Sequence, residues 1–183
     1  MADLGIPCAN LAEFVSGQSI TEVCADLRAF VAGRPLDDDG SVLIHFDKGA
    51  HGAILTSQVC IGQDASLRLL VWGDKGGLDW RLSRPDELRF TPLNGVARTL
   101  SAASTDLSSD ARAALRFPAD PADPLVAPLA VQYDAFADRV ANAPNPATPP
   151  CPTTVDGIRA MSFLDAVLRN THPENTEKWT RLA

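Results

Sequence analysis

The feature that most constrains this chain is a succession of short segments whose apolar residues recur with a period of two. Ile20 to Phe30 alternates small apolar and polar residues, as a half-buried strand does. Ser41 to Asp47 and Ala50 to Cys60 follow, with Lys48-Gly49 between them read as a hairpin turn. Ser66 to Trp72 and Leu78 to Leu82 flank the stretch Gly73-Asp74-Lys75-Gly76-Gly77, and Glu87 to Pro92 and Val96 to Leu100 come next. A parallel crossover needs about a dozen residues or more. The connections here are shorter, so neighbouring strands must pair antiparallel. In Ser66 to Trp72, Leu67, Leu69 and Val71 point one way and Arg68, Leu70 and Trp72 the other, which predicts a sheet apolar on both faces.

Helical spacing appears only at the two ends of this run. Leu11, Phe14 and Val15 place a helix in the first fifteen residues, stopped by Gly17. After residue 105, Ser108 to Leu115 reads as a short helix and Leu125 to Ala141 as a longer one containing Pro128. Five prolines within residues 144–152 predict an extended linker. Thr153-Thr154-Val155-Asp156 then forms a capping box, and Ile158, Met161, Leu164, Val167 and Leu168 give the last helix an apolar stripe. A short strand around Trp179-Thr180-Arg181-Leu182 closes the chain. The predicted class is α+β: an open, mostly antiparallel sheet with helices packed on one face. At 183 residues the chain is read as one domain, residues 1–183.

Charge and cysteine usage narrow the function classes. A formal net charge of −7 repels phosphate backbones, so nucleic acid is not an expected partner. No apolar run is long enough to span a membrane. The start Met1-Ala2-Asp3-Leu4-Gly5 has neither the basic nor the apolar region of a signal peptide. Cys8, Cys24, Cys60 and Cys151 contain no C-x-x-C pair and read as free thiols in a reducing cytoplasm.

Cofactor and metal motifs are missing. There is no G-x-G-x-x-G after a strand and no G-x-x-x-x-G-K-[ST], and the stretch from Gly73 to Gly77 reads as a hairpin turn rather than a phosphate loop. With a two-residue Lys48-Gly49 turn, Phe46 faces His51, and His45 lies on the opposite face from His51. That arrangement does not converge on a metal. Asp37-Asp38-Asp39-Gly40 is read as a solvated strand entry rather than a cation site. No cofactor and no metal are expected.

Three stretches together resemble a known family. These are Arg34-Pro35-Leu36-Asp37-Asp38-Asp39-Gly40-Ser41-Val42-Leu43, the segment from Ser57-Gln58 through Leu67 to Trp80, and Pro152-Thr153-Thr154-Val155-Asp156-Gly157-Ile158-Arg159-Ala160-Met161. Their order is similar to the C-terminal domain of the glucose–fructose oxidoreductase and inositol dehydrogenase (Gfo/Idh/MocA) family. The likeness runs over most of residues 3–182 and is weakest over 101–150. It implies an α+β domain that carries a substrate site and an oligomerisation sheet, next to a separate Rossmann domain that binds NAD or NADP. The family's D-x-G-x-H helix start matches Asp3-Leu4-Gly5-Ile6-Pro7, so the histidine position holds a proline. The family's G-H-P-E-G-Y matches Asp120-Pro121-Ala122-Asp123-Pro124-Leu125, where the histidine is again a proline.

Proline cannot trade a proton, so the family's hydride-transfer chemistry is not expected of these residues alone. Two readings stay open, and whether the chain is an enzyme is undecided between them. One is a dimerisation and substrate-binding module, pairing through its sheet face as a homodimer or working with a full-length oxidoreductase. The other is a repurposed, cofactor-independent lyase, isomerase or cyclase, of the kind used in secondary metabolism. Its old cleft would take a polyhydroxylated or polyketide-like ligand, with Asp3 as acid/base and Asn10 and Gln58 as substrate contacts. The base role for Asp3 requires burial.

Overall fold

A computed structural model describes residues 1–63, 66–105, 107–115, 123, 125–142 and 151–183. The predicted linker over 144–152 lies almost wholly outside the described residues, as does most of the stretch from Asp120 to Leu125. The element order is α1 (Ala2–Ser16), β1 (Ile20–Arg28), β2 (Asp39–Phe46), β3 (His51–Ser57), β4 (Arg68–Gly73), β5 (Gly76–Arg81), β6 (Glu87–Pro92), β7 (Arg98–Ser101), α2 (Ser109–Ala114), α3 (Val126–Val140), α4 (Thr154–Asn170) and β8 (Thr180–Arg181). The fold is α+β with antiparallel sheets, as the alternation and the short connections require. The single sheet of the sequence reading is corrected to two four-stranded sheets, ordered β3-β2-β1-β8 and β4-β5-β6-β7. Period-two patterning shows that strands pair but not where a meander breaks.

The described chain forms two compact units. The first is Met1–Asp64 with Pro152–Ala183, and the second is Ala65–Cys151. In the first unit α1 and α4 cover one face of the sheet. The core joins Ile20 and Val23 of β1, Val42 and Ile44 of β2 and Ile54 of β3 to Ala9 of α1 and Phe163, Ala166 and Val167 of α4. The short side chains of Ala9 and Ala166 let the helices approach closely. Asn170, at the end of α4, accepts the Ala25 N–H at 2.7 Å and donates to the Thr180 hydroxyl at 3.0 Å, which ties helix, β1 and β8 together. Asp156 accepts from the Thr153 N–H at 2.6 Å and from its hydroxyl at 2.7 Å, and these bonds hold its carboxyl below the usual range.

Two local readings change. The stripe assigned to α4 is only partly right, because Ile158, Met161 and Leu168 are exposed while Phe163, Ala166 and Val167 are buried. The β2–β3 turn is Asp47-Lys48-Gly49, not two residues: Phe46 N–H donates to Ala50 O at 2.9 Å, and Gly49 has φ +88°. The extra residue shifts the register, so His45 pairs directly with His51 and the two share a face.

In the second unit the Asp74-Lys75 turn joins Gly73 and Gly76, confirming the hairpin. Leu69, Val71, Leu78, Trp80, Leu88, Phe90 and Leu100 share one face of this sheet. The opposite face, expected to be apolar, mixes Leu70 and Trp72 with Arg68, Asp79, Arg81, Arg89, Thr91 and Thr99. Arg68 grips Asp79 through two bonds of 2.9 and 2.8 Å, which hold the Asp79 carboxyl down.

Candidate functional site

Helix α1 sets the candidate site. Gly5 and Ala9 face inward, while Asp3, Pro7 and Asn10, four and three residues apart, lie along the open side. Pro7 is inside the helix and has no N–H, so the Asp3 carbonyl loses its intrahelical donor. Gln58 follows the last residue of β3. Its backbone N–H donates to Asp38 O at 2.8 Å, and its side-chain amide approaches Asp3 Oδ2 at 3.5 Å. The structure therefore brings Asp3 and Gln58 together. Both are exposed, so the burial that the base role of Asp3 requires is not supplied by the described residues.

Asn10 lies farther along the same side. It borders a recess of about 20 Å³ with Glu13, Ile20, Asp156, Arg159 and Phe163, room for about one water and not for a substrate. What fills this region is an ion pair that sequence reasoning missed. The Arg159 guanidinium binds Glu13 through both of its carboxylate oxygens, the Nε bond measuring 3.2 Å, and also donates to Ile20 O at 3.3 Å. Glu13 in turn accepts the Ile20 N–H at 2.6 Å. The contact spans 146 residues of sequence, and no local pattern announces it.

The acidic run is structural. Asp38 is 2% exposed and accepts the Phe30 N–H at 2.7 Å and the Val31 N–H at 3.0 Å, with Arg34 at 3.5 Å. Those two backbone bonds are the main reason its carboxyl sits below the usual range. Asp37 pairs with the amino group of Met1. The solvated strand entry is thus corrected: Asp38 folds the β1–β2 loop around itself.

On the sheet face away from the helices, the His45 ring stacks on Trp179 with centroids 3.8 Å apart, and its Nδ1 lies 3.3 Å from Glu22. His45 and then Arg181 hold the Glu22 carboxyl low. Among the described residues no group of three His, Cys, Asp or Glu side chains is placed to hold a metal. No helix among the described residues is long and apolar enough to cross a membrane.

Residues 1–79 match the family model of the GFO/IDH/MocA C-terminal domain. An oxidoreductase from Sinorhizobium meliloti is 35% identical and superposes over 97% of this chain and 50% of its own, with a TM-score of 0.87. An inositol dehydrogenase homologue from Azotobacter vinelandii, solved with NAD+, shares the fold over 98% of this chain and 47% of its own at 20% identity and a TM-score of 0.83. The uncharacterised oxidoreductase YfiI of Bacillus subtilis is 34% identical over 82 residues, 44% of this chain and 21% of that protein. The chain thus spans about half the length of the solved relatives and a fifth of YfiI. The family match over residues 1–79 and the superposition over 97% of the chain agree, and the chain is similar to the C-terminal domain of the GFO/IDH/MocA oxidoreductases.

Proposed function

We propose that this domain is the substrate-side and oligomerisation part of an oxidoreductase, and that its own residues do not carry out NAD(P)-dependent hydride transfer. The observation that carries this reading is the open side of α1, where Pro7 stands one turn from Asp3 at the position of the family's proton-transferring histidine. The described residues offer no glycine-rich turn that opens a helix toward a dinucleotide phosphate. Gly73 to Gly77 is a strand-to-strand turn, with no helix N-terminus behind it to meet a phosphate. The nicotinamide has to come from a domain outside these 183 residues, in this protein or in a partner. Asp3, Gln58 and Asn10 then form one polar wall, suited to accept and donate hydrogen bonds to the hydroxyls of a polyhydroxylated ligand.

Titration calorimetry of the 183-residue protein with NADH and NADPH is expected to show no binding in the micromolar range. Pro7→His is expected to leave it without dehydrogenase activity on sugars or inositols, because nothing orients a hydride donor. Micromolar affinity, or NAD reduction by the variant, overturns the reading.

The oligomerisation half rests on open sheet faces. Leu43 and Leu55 are exposed on the face of the first sheet away from its helices, and Trp72 is 77% exposed on the second. Pairing two copies through such faces removes these side chains from water. Leu70→Asp puts a charge beside Trp72 and is expected to lower the mass seen by light scattering. An unchanged oligomer of normal stability counts against pairing at that face.

The second reading, a cofactor-independent lyase, isomerase or cyclase, draws support from the Asp3–Gln58 contact alone. The exposure of Asp3 weighs against it.

A further inference from the structure

Among the described residues, helix α3 carries an apolar row that faces solvent. Val131 and Ala135 are buried on one side. On the other, Val126, Leu129, Tyr133, Phe136 and Val140 are 46, 52, 73, 58 and 67% exposed. Their spacing is three, four, three, four, the seam repeat of paired helices. A lone surface helix has no use for large side chains on its outer side, and five in register form a continuous strip.

We propose that this strip is a second self-association surface, on which α3 of one copy lies antiparallel against α3 of another. The row itself selects the occupant, because it is close to palindromic about Tyr133. Val126 and Val140 each lie seven residues from it, and Leu129 and Phe136 lie four and three residues away. Antiparallel pairing through a two-fold axis sets Tyr133 against its own copy, Leu129 against Phe136 and Val126 against Val140. Every large side chain then meets an apolar partner, the self-complementarity that an isologous contact demands.

Charge favours the same direction. Asp123 precedes the helix and Arg139 ends it, both exposed, so antiparallel copies bring opposite charges and opposite helix ends together. A parallel pair would set like against like. The five side chains offer on the order of 500 Å² per copy, about 1,000 Å² for the pair, which reaches the lower bound for a specific interface. This surface is distinct from the sheet faces invoked above. With both in use, two different two-fold contacts join more than two copies.

The test is mass by light scattering at micromolar concentration, for the wild type, Tyr133→Glu/Phe136→Glu and Leu70→Asp. The α3 variant is expected to keep its circular dichroism, since both positions are solvent-exposed in the single chain. It should halve the mass and weaken association about a hundredfold or more. A wild-type mass of 19.5 kDa, or an α3 variant with unchanged mass, overturns the proposal. Loss of association in Leu70→Asp but not in the α3 variant also overturns it, while sparing the sheet reading. Direction is checked in a background with all four cysteines changed to serine. A short bismaleimide should link copies carrying Tyr133→Cys and fail with Val140→Cys, whose two copies lie about 21 Å apart in the antiparallel pair. Efficient linking at position 140 overturns the antiparallel arrangement.

Discussion

Phe163→Ala is expected to destabilise the protein by about 3–5 kcal/mol, a large part of the roughly 5–15 kcal/mol that holds a domain folded. Phe163 is 2% exposed and lies in the core built by α4 and the first sheet. Among the described residues its ring is the largest fully buried side chain, and Val23, Val42 and Val167 are the next. These β-branched neighbours have one strongly preferred rotamer each and cannot swing in to close the void. Urea unfolding followed by circular dichroism measures the loss. Ile158→Ala, on the exposed side of the same helix, is the control and should change stability by about 0.5 kcal/mol or less. If the two substitutions cost the same, the assignment of the buried side of α4 is wrong.

Gly76→Ala should cost about 2–4 kcal/mol, from a strained backbone and from overpacking. Gly76 sits at φ +152°, a conformation that L side chains rarely adopt. An added Cβ would lie 2.3 Å from the Thr91 carbonyl oxygen and 3.0 Å from Pro92 Cα. Both obstacles are backbone, so β5 must part from β6 to make room. The neighbouring Gly77→Ala meets the Trp72 ring at 3.3 Å, which can yield by a few tenths of an ångström, and the Val71 carbonyl oxygen at an ordinary 3.6 Å, so it should be mild. Hydrogen exchange at the amides of β5 and β6 separates the cases. Gly76→Ala should open those amides and leave β1–β3 protected; equal protection in both variants would falsify the steric account.

Much of this fold is legible in the sequence because strand patterning and turn chemistry are local. The bounds of β6 follow from its alternation alone, and the capping box of α4 is written in Thr153 and Asp156. The misreadings occur where a local signal has two physical solutions. Lys48-Gly49 fits a two-residue hairpin, but Gly49 at φ +88° serves as the left-handed residue of a three-residue loop, and that single residue brings His45 and His51 onto one face. Helix α4 is apolar on two sides, so the 3.6-residue period cannot say which is buried; only the packing of Phe163, Ala166 and Val167 against the sheet does. Asp38 looks like part of a solvated acidic run until the loop donors Phe30 and Val31 are folded over it. At the candidate site, Asp3 and Gln58, which the sequence reading assigned to one cleft, meet through the Gln58 amide at 3.5 Å. The Glu13–Arg159 pair beside Asn10 depends on a contact between the two ends of the chain, which no window of sequence contains.

The first unit takes its residues from both ends of the chain, Met1–Asp64 and Pro152–Ala183, while the second is the continuous stretch between them. On a ribosome these halves mature in a fixed order. The strands β4 to β7 pair only with their sequence neighbours, so that sheet needs no distant residue and can form while synthesis continues. The first sheet waits. Its core lacks Phe163, Ala166 and Val167, and its edge lacks β8, until residues 152–183 emerge and close a loop of about ninety. Until then the part of the helix-facing side of β1–β3 that α4 covers stays open to water, so nascent chains stalled before α4 are the form of this protein most exposed to chaperones and to aggregation.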